Sequence, residues 1–212
     1  MWQEMGKLHE DLVRTLEIGR VREPIHMFLF DRKSTYKQYM DFYFPELPFV
    51  AKAMYLKKRG PGRVFAFRHK DFAIDVRHES THALLHASLP MMPLWLDEGL
   101  AEYFEVTREQ RPYDNPHLAK TKWELRLGKS NRIERLEKIS TLKNMEDADY
   151  RRAWAWVHFM LHGPKEARSE LLAYFQDLKN DRPPGLLSER LRRRFPDLSQ
   201  RMANHFRDWR RP

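Results

Sequence analysis

The chain has 212 residues, 42% of them hydrophobic and 13% aromatic, enough to build a core and too many for a disordered chain. It contains no cysteine, which excludes disulfides, iron–sulfur clusters, thiol nucleophiles and cysteine-held zinc, so any metal site must use histidine and carboxylate. The balance of 39 Lys+Arg against 30 Asp+Glu gives a net charge of +9, a bias toward anionic partners that by itself selects none.

Residues 2–19 carry Met5, Leu8, Leu12 and Leu16 at helical spacing and are expected to form an amphipathic helix. This stretch is charged throughout and lacks the apolar run of a signal peptide. No segment reaches the roughly 18 apolar residues of a membrane span, so a cytoplasmic location is the default expectation. Ile25–Phe30 is a short apolar run that reads as a buried strand, and Asp31–Tyr43 as a short helix. Val50–Leu56 and Arg63–Phe67 are β-prone runs joined by Lys57-Lys58-Arg59-Gly60-Pro61-Gly62, a hairpin signal.

From Asp71 onward the pattern is helical. One helix is expected over about 71–88 and a second over about 94–107, linked by Leu89-Pro90-Met91-Met92-Pro93. A polar loop over 108–117 precedes short helices to about 140. Tyr150–His162 and Glu166–Leu178 read as two more, broken at Gly163-Pro164, and Pro183-Pro184-Gly185 precedes the terminal helices. The fold class is therefore α+β: a single domain over 1–212, with a sheet-containing part at 1–70 and a helical part at 71–212.

Much of the charge excess is local, with eight arginines against three acids over 186–212. Leu187, Leu191, Phe195, Leu198, Met202, Phe206 and Trp209 recur at helical spacing in that segment, which gives it a core side and makes its arginines a solvated face. No zinc-finger, KH or RRM signature supports nucleic acid. His158 and His162 are an i, i+4 pair without an accompanying acid and are expected in core or capping roles.

The informative stretch is DVRHESTHALLHASLPMMPLWLDEGLAEYFE, residues 75–105. In His78-Glu79-Ser80-Thr81-His82 the two histidines stand at i and i+4, on one helix face, where both imidazoles can converge on one cation. Glu79 lies about 100° round the helix from His78, poorly placed as a ligand but able to reach a water on the metal, as a general base does. His86 forms a second i, i+4 pair with His82, so spacing alone leaves the ligand register open. Glu79 favours the first register, because in the second the matching position is Ala83. Fifteen residues separate His82 from Glu98, enough for a turn and a returning helix that brings Glu98 back to the pair. Two histidines and one carboxylate leave an open position, as catalytic zinc sites do. Gly99 would let the two helices approach closely, and Glu102, one turn past Glu98, can either accept the free ring N–H of a ligating histidine or serve as a surface salt-bridging residue.

HESTH followed by WLDEGLAEYF resembles the gluzincin metallopeptidases of the peptidase MA clan, most closely their small peptidase MA-like domains and more distantly the aminopeptidase N family. The resemblance implies a zincin-like fold in which a small N-terminal mixed β-sheet lies over an active-site helix. It implies one Zn²⁺ per chain held by His78, His82 and Glu98, with Glu79 as base and a peptide or protein as substrate. The segment from Tyr150 to Gly163 is similar to the aminopeptidase helix that opens with the tyrosine steadying the oxyanion, which makes Tyr150 the candidate electrophile. The chain departs from the aminopeptidases in its shorter linker to Glu98 and in lacking the Gly-Ala-Met-Glu-Asn strand motif. Lys52-Ala53-Met54-Tyr55 stands in that region, and endopeptidase action is expected, with the strand suited to extended peptide. Two other classes remain alongside: a zinc-stabilised binding module without turnover, and a binder of nucleic acid or anionic surfaces through the arginine-rich terminus.

Overall fold

The computed structural model describes residues 2–47, 52–89, 91–129 and 131–211. The chain opens with α1 (Trp2–Leu16), whose Leu8, Leu12 and Leu16 are buried. Strand β1 (His26–Phe30) and helix α2 (Lys33–Tyr43) follow, and then the hairpin of β2 (Ala53–Leu56) and β3 (Arg63–Phe67). Val50 and Ala51, the start of the strand expected from the sequence, lie outside the described residues. The sheet has the order β1-β3-β2, with β1 parallel and β2 antiparallel to β3, so the mixed sheet expected from the sequence is present. Ile25–Phe30 does not form a buried strand. It begins at His26, occupies an edge, and leaves His26 and Leu29 exposed, because it pairs on one side only and α2 covers one of its faces.

The pleat sorts the side chains of β3 between two partners. Phe65 and Phe67 face α2, where Tyr36, Met40 and Phe44 close an aromatic layer. Ala66 faces the other way and meets Ala53 of β2 and Val76 of the long helix α3 (Phe72–Ser88). Small residues at these positions let α3 settle directly on the sheet, which places its first turns against β2.

The rest is helical: α4 (Leu94–Phe104), α5 (His117–Arg126), α6 (Ile133–Leu136), α7 (Asp147–His162), α8 (Lys165–Lys179), α9 (Leu187–Arg194) and α10 (Leu198–Asp208), with a 3-10 turn at Leu142–Asn144. No described helix is long and apolar enough to cross a membrane. The main core runs from Leu8 to Phe206 and is centred on α7, whose Trp154, Trp156, Phe159 and Met160 are fully buried or nearly so. Helix α7 starts three residues before Tyr150, at a capping box in which the Glu146 and Asp149 side chains each take the other's backbone N–H. Asp149 is buried and also accepts from Arg152 at 2.9 Å. Tyr150 therefore sits on a fixed first turn.

Gly99 is a close-approach position, but toward α7 instead of α3. A methyl group there would lie 2.8 Å from the backbone carbonyl carbon and oxygen of Ala153. One residue is about 100° of helix rotation, so with Glu98 turned to α3 its neighbour turns away from it.

The arginine-rich end behaves as a solvated face. Arg190, Arg192, Arg194, Arg201, Arg207 and Arg211 pair with Asp177, Glu134, Glu170, Asp197, Asp208 and Asp114, while Leu187, Leu191, Phe195, Leu198, Met202 and Phe206 are buried.

His158 and His162 join His205 of α10 in a buried group. His158 Nε2 is 3.0 Å from the Pro112 carbonyl and must donate to it, so its Nδ1 accepts from His205 Nε2–H, also at 3.0 Å. His162 Nε2 lies 2.8 Å from the Tyr103 hydroxyl. Burial pushes the His158 imidazole well below its ordinary range, and His162 and His205 down to about 4. These rings stay neutral in the fold, whereas in the unfolded chain they take protons below about pH 6.5. Stability is therefore whole above pH 6.5 and falls as the pH drops toward 4. The loss expected by pH 5 is about 2 kcal/mol for each of His162 and His205. Urea midpoints at pH 7 and pH 5 measure it, and His162→Gln/His205→Gln is expected to shrink the difference between them. Separately, Gly99→Ala is expected to cost about 1–3 kcal/mol by forcing α4 off α7, read as a lower denaturation midpoint.

Candidate metal centre

His78 and His82 lie one turn apart on α3 with ring centroids 4.9 Å apart. Glu98, in the second turn of α4, points back at both: its Oε2 is 3.6 Å from His78 Nε2 and 3.7 Å from His82 Nε2. A cation with tetrahedral bonds of about 2.1 Å separates its ligand atoms by about 3.4 Å. Both carboxylate–imidazole spacings are thus close to those between a metal's ligands and too long for hydrogen bonds, and all three atoms lie within 4.8 Å of one another.

Two neighbouring groups have different spacing. His82 Nδ1 and His86 Nε2 are 3.0 and 2.8 Å from Asp97 Oδ2, and His78 Nδ1 is 2.9 Å from Glu105 Oε2, beside Glu102. Those are hydrogen-bond and ion-pair distances, shorter than the spacing of tetrahedral ligands. All three groups have ligand atoms within 4.8 Å of one another and could hold a metal ion; the spacing in the first is the one closest to tetrahedral coordination. His78 and His82 turn Nε2 to the shared centre and Nδ1 to a carboxylate behind, the arrangement that fixes tautomer and ring orientation in metal sites. The His82–Asp97 contact has the length of a hydrogen bond but not its alignment, and His82 Nδ1 and Asp97 Oδ1 are left without a hydrogen-bond partner among the described residues.

The field at this point is negative. Burial alone would lower both imidazoles, yet His78 is held well above its usual range by its hydrogen bond to Glu105 and the nearby Glu98 carboxylate, and His82 is raised by the charge of Asp97. Burial would raise Asp97, but His82 and His86 hold it well below the carboxylate range. Carboxylates that draw protons onto buried rings also favour a divalent cation in their place. His78, His82 and Glu98 can therefore hold a metal ion, and their donor set of two imidazoles and one carboxylate suits one.

Glu79 stands beside the centre. Its Oε2 accepts a 2.7 Å hydrogen bond from the Tyr55 backbone N–H on β2, and burial, opposed by the histidine charges, raises its carboxyl. It lines a cleft of about 310 Å³ with Lys52, Ala53, Asp75, Glu102 and Glu105. Tyr150 is half-buried on the first turn of α7. Burial first, then the charges of Glu98, Glu102, Asp147 and Glu79, push its phenol up to about 12, which keeps it protonated at neutral pH.

Of the two parts open to Glu102, the structure shows an ion pair. Its Oε2 is 2.7 Å from His117 Nε2, at the start of α5, and its backbone carbonyl accepts from Asn115. The partners of the His78 and His82 rings are Glu105 and Asp97. No sequence signal separated these from other acids, although Asp97 is adjacent to Glu98 and the His82/His86 spacing marks the face it serves.

Residues 73–184 match a family of proteins of unknown function, DUF1570. The chain belongs to that family. The DUF1570 match starts in the first turn of α3 and ends beyond α8, so it holds His78, Glu79, His82, Glu98, Glu102 and Tyr150 and leaves out the sheet and the two terminal helices. No curated protein and no solved structure matches the chain.

Metal content per chain, by plasma mass spectrometry, tests this DUF1570 site. His82→Ala and Glu98→Ala are expected to abolish it and Asp97→Asn to weaken metal affinity about 10–100-fold. Glu102→Gln should leave it near wild type.

Proposed function

We propose that the protein is a zinc-dependent hydrolase with a zincin-like active site, a gluzincin-like metallopeptidase of the peptidase MA clan that cleaves within peptide chains. The observation that carries this reading is Glu98 Oε2 standing 3.6 and 3.7 Å from the two Nε2 atoms of the His-Glu-x-x-His helix, with Glu79 alongside. Zinc held by His78, His82 and Glu98 would supply Lewis acidity, lowering the pKa of a water and polarising a carbonyl.

The chain's own residues supply the rest. Glu79, raised by burial toward the working pH, takes a proton from the attacking water and passes it to the leaving amine. The Tyr55 amide keeps one of its oxygens fixed while the proton moves. Tyr150, neutral at physiological pH, donates its hydroxyl to the oxyanion. Strand β2 is an edge of the sheet, and its outer side can take an extended peptide alongside Glu79. No glutamate stands on β2, whose residues are Ala53, Met54, Tyr55 and Leu56, so the strand has no carboxylate to fix a substrate amino terminus, which favours internal cleavage.

Zinc-loaded protein incubated with a broad peptide library tests the reading by mass spectrometry of the products. Glu79→Gln is expected to lower kcat/KM by about 10²–10⁴ while retaining zinc. Tyr150→Phe should lower kcat about 10–10³-fold with KM little changed. Full zinc loading with no cleavage of any peptide would leave the zinc-stabilised binding module in its place.

A further inference from the structure

Five of the eight arginines beyond residue 186 pair with acids outside the groove between α5 and α10, and a sixth, Arg207, pairs with Asp208 at its edge. That groove, of about 430 Å³, is lined by Lys122, Arg126 and Arg207 with Leu125, Gln200 and Ala203, and no carboxylate lines it. Arg207 meets only its neighbour Asp208, and both are exposed. Lys122 is half-buried and donates to the Trp209 carbonyl at the end of α10 instead of to an acid. Burial, then the charges of Arg126 and Arg210, holds its ammonium below the usual lysine range. Lys122 and Arg126, one turn apart on α5, have no acidic partner among the described residues and repel one another, and a bound anion relieves that repulsion.

The geometry points to a phosphate-binding groove between α5 and α10, in which Lys122, Arg126 and Arg207 hold a phosphate group of a small molecule or a lipid headgroup. Several converging charges suit a multiply charged group better than a single carboxylate. A nucleic-acid strand is less well served. The aromatic ring beside the groove, Trp123, already carries the Lys129 ammonium over its face at 5.4 Å, where a base would stack.

Titration calorimetry of the full chain with inorganic pyrophosphate at low salt tests this, with co-sedimentation on phosphatidylcholine vesicles with and without phosphatidic acid as a second arm. One pyrophosphate per chain, weakened at least tenfold in Lys122→Gln/Arg126→Gln and retained in Lys122→Arg, is the expected result and identifies a free phosphate ligand. Binding only to vesicles containing phosphatidic acid, with the same dependence on variants, supports the groove with a lipid as the source. The control variant Arg192→Gln/Arg194→Gln removes two paired arginines elsewhere and should bind as wild type. Equal loss in the control would reduce the effect to net charge and overturn the proposal. Absence of binding in both arms, or single-stranded DNA that pyrophosphate cannot displace, would overturn it too. Thermal melts of each variant separate lost binding from lost folding.

Discussion

Two backbones touch where α4 crosses α7, and the orientation of the candidate centre follows from that contact. Gly99 has no room for even a methyl group against the Ala153 carbonyl. Pinned on that side, α4 has little freedom to rotate, and Asp97 and Glu98 must face α3. The same α7 contributes Tyr150 from a capped first turn. A helix-packing constraint therefore fixes three polar side chains that come from parts of the chain some fifty residues apart.

The charge distribution has two scales. The molecule is basic overall at +9, yet Asp97, Glu98, Glu102 and Glu105 crowd one short stretch of α4 and its end. Buried carboxylates persist when each finds a compensating partner. Asp97 has His82 and His86, Glu102 has His117, and Glu105 has His78. Glu98 faces two imidazoles at once, at distances longer than a hydrogen bond.

The sequence carried the element order well, because amphipathic spacing and Gly/Pro punctuation are local signals. Helix α3, helix α4 and the β2–β3 hairpin fall within a few residues of where periodicity placed them. The pairing of His78 with His82 was legible for the same reason, since i, i+4 spacing is a property of one helix. What lay between elements was not. Asp97, Glu105 and His117 acquire partners only when α4 packs on α3 and α5 folds back, and nothing in a single helix's spacing distinguishes Glu102 from Glu105. Gly99 was recognised as a contact position, but the helix it contacts depends on the rotation of α4. The edge position of β1 also escaped, because an apolar run does not say how many of its sides are covered. The Glu146/Asp149 cap was not read from the sequence, and it moves the start of α7 three residues ahead of Tyr150.

The hydrogen bond that holds Glu79 comes from a main-chain N–H of β2, with a mutational consequence of its own. A side-chain anchor is lost by almost any substitution, but an amide is supplied by every residue except proline. Position 55 can drift among nineteen amino acids without unfastening the glutamate. The tyrosine now there, whose ring packs edge-on to His86, is free to be selected for what its side chain touches. Anchoring and side-chain identity are thereby uncoupled at the strand closest to the proposed chemistry.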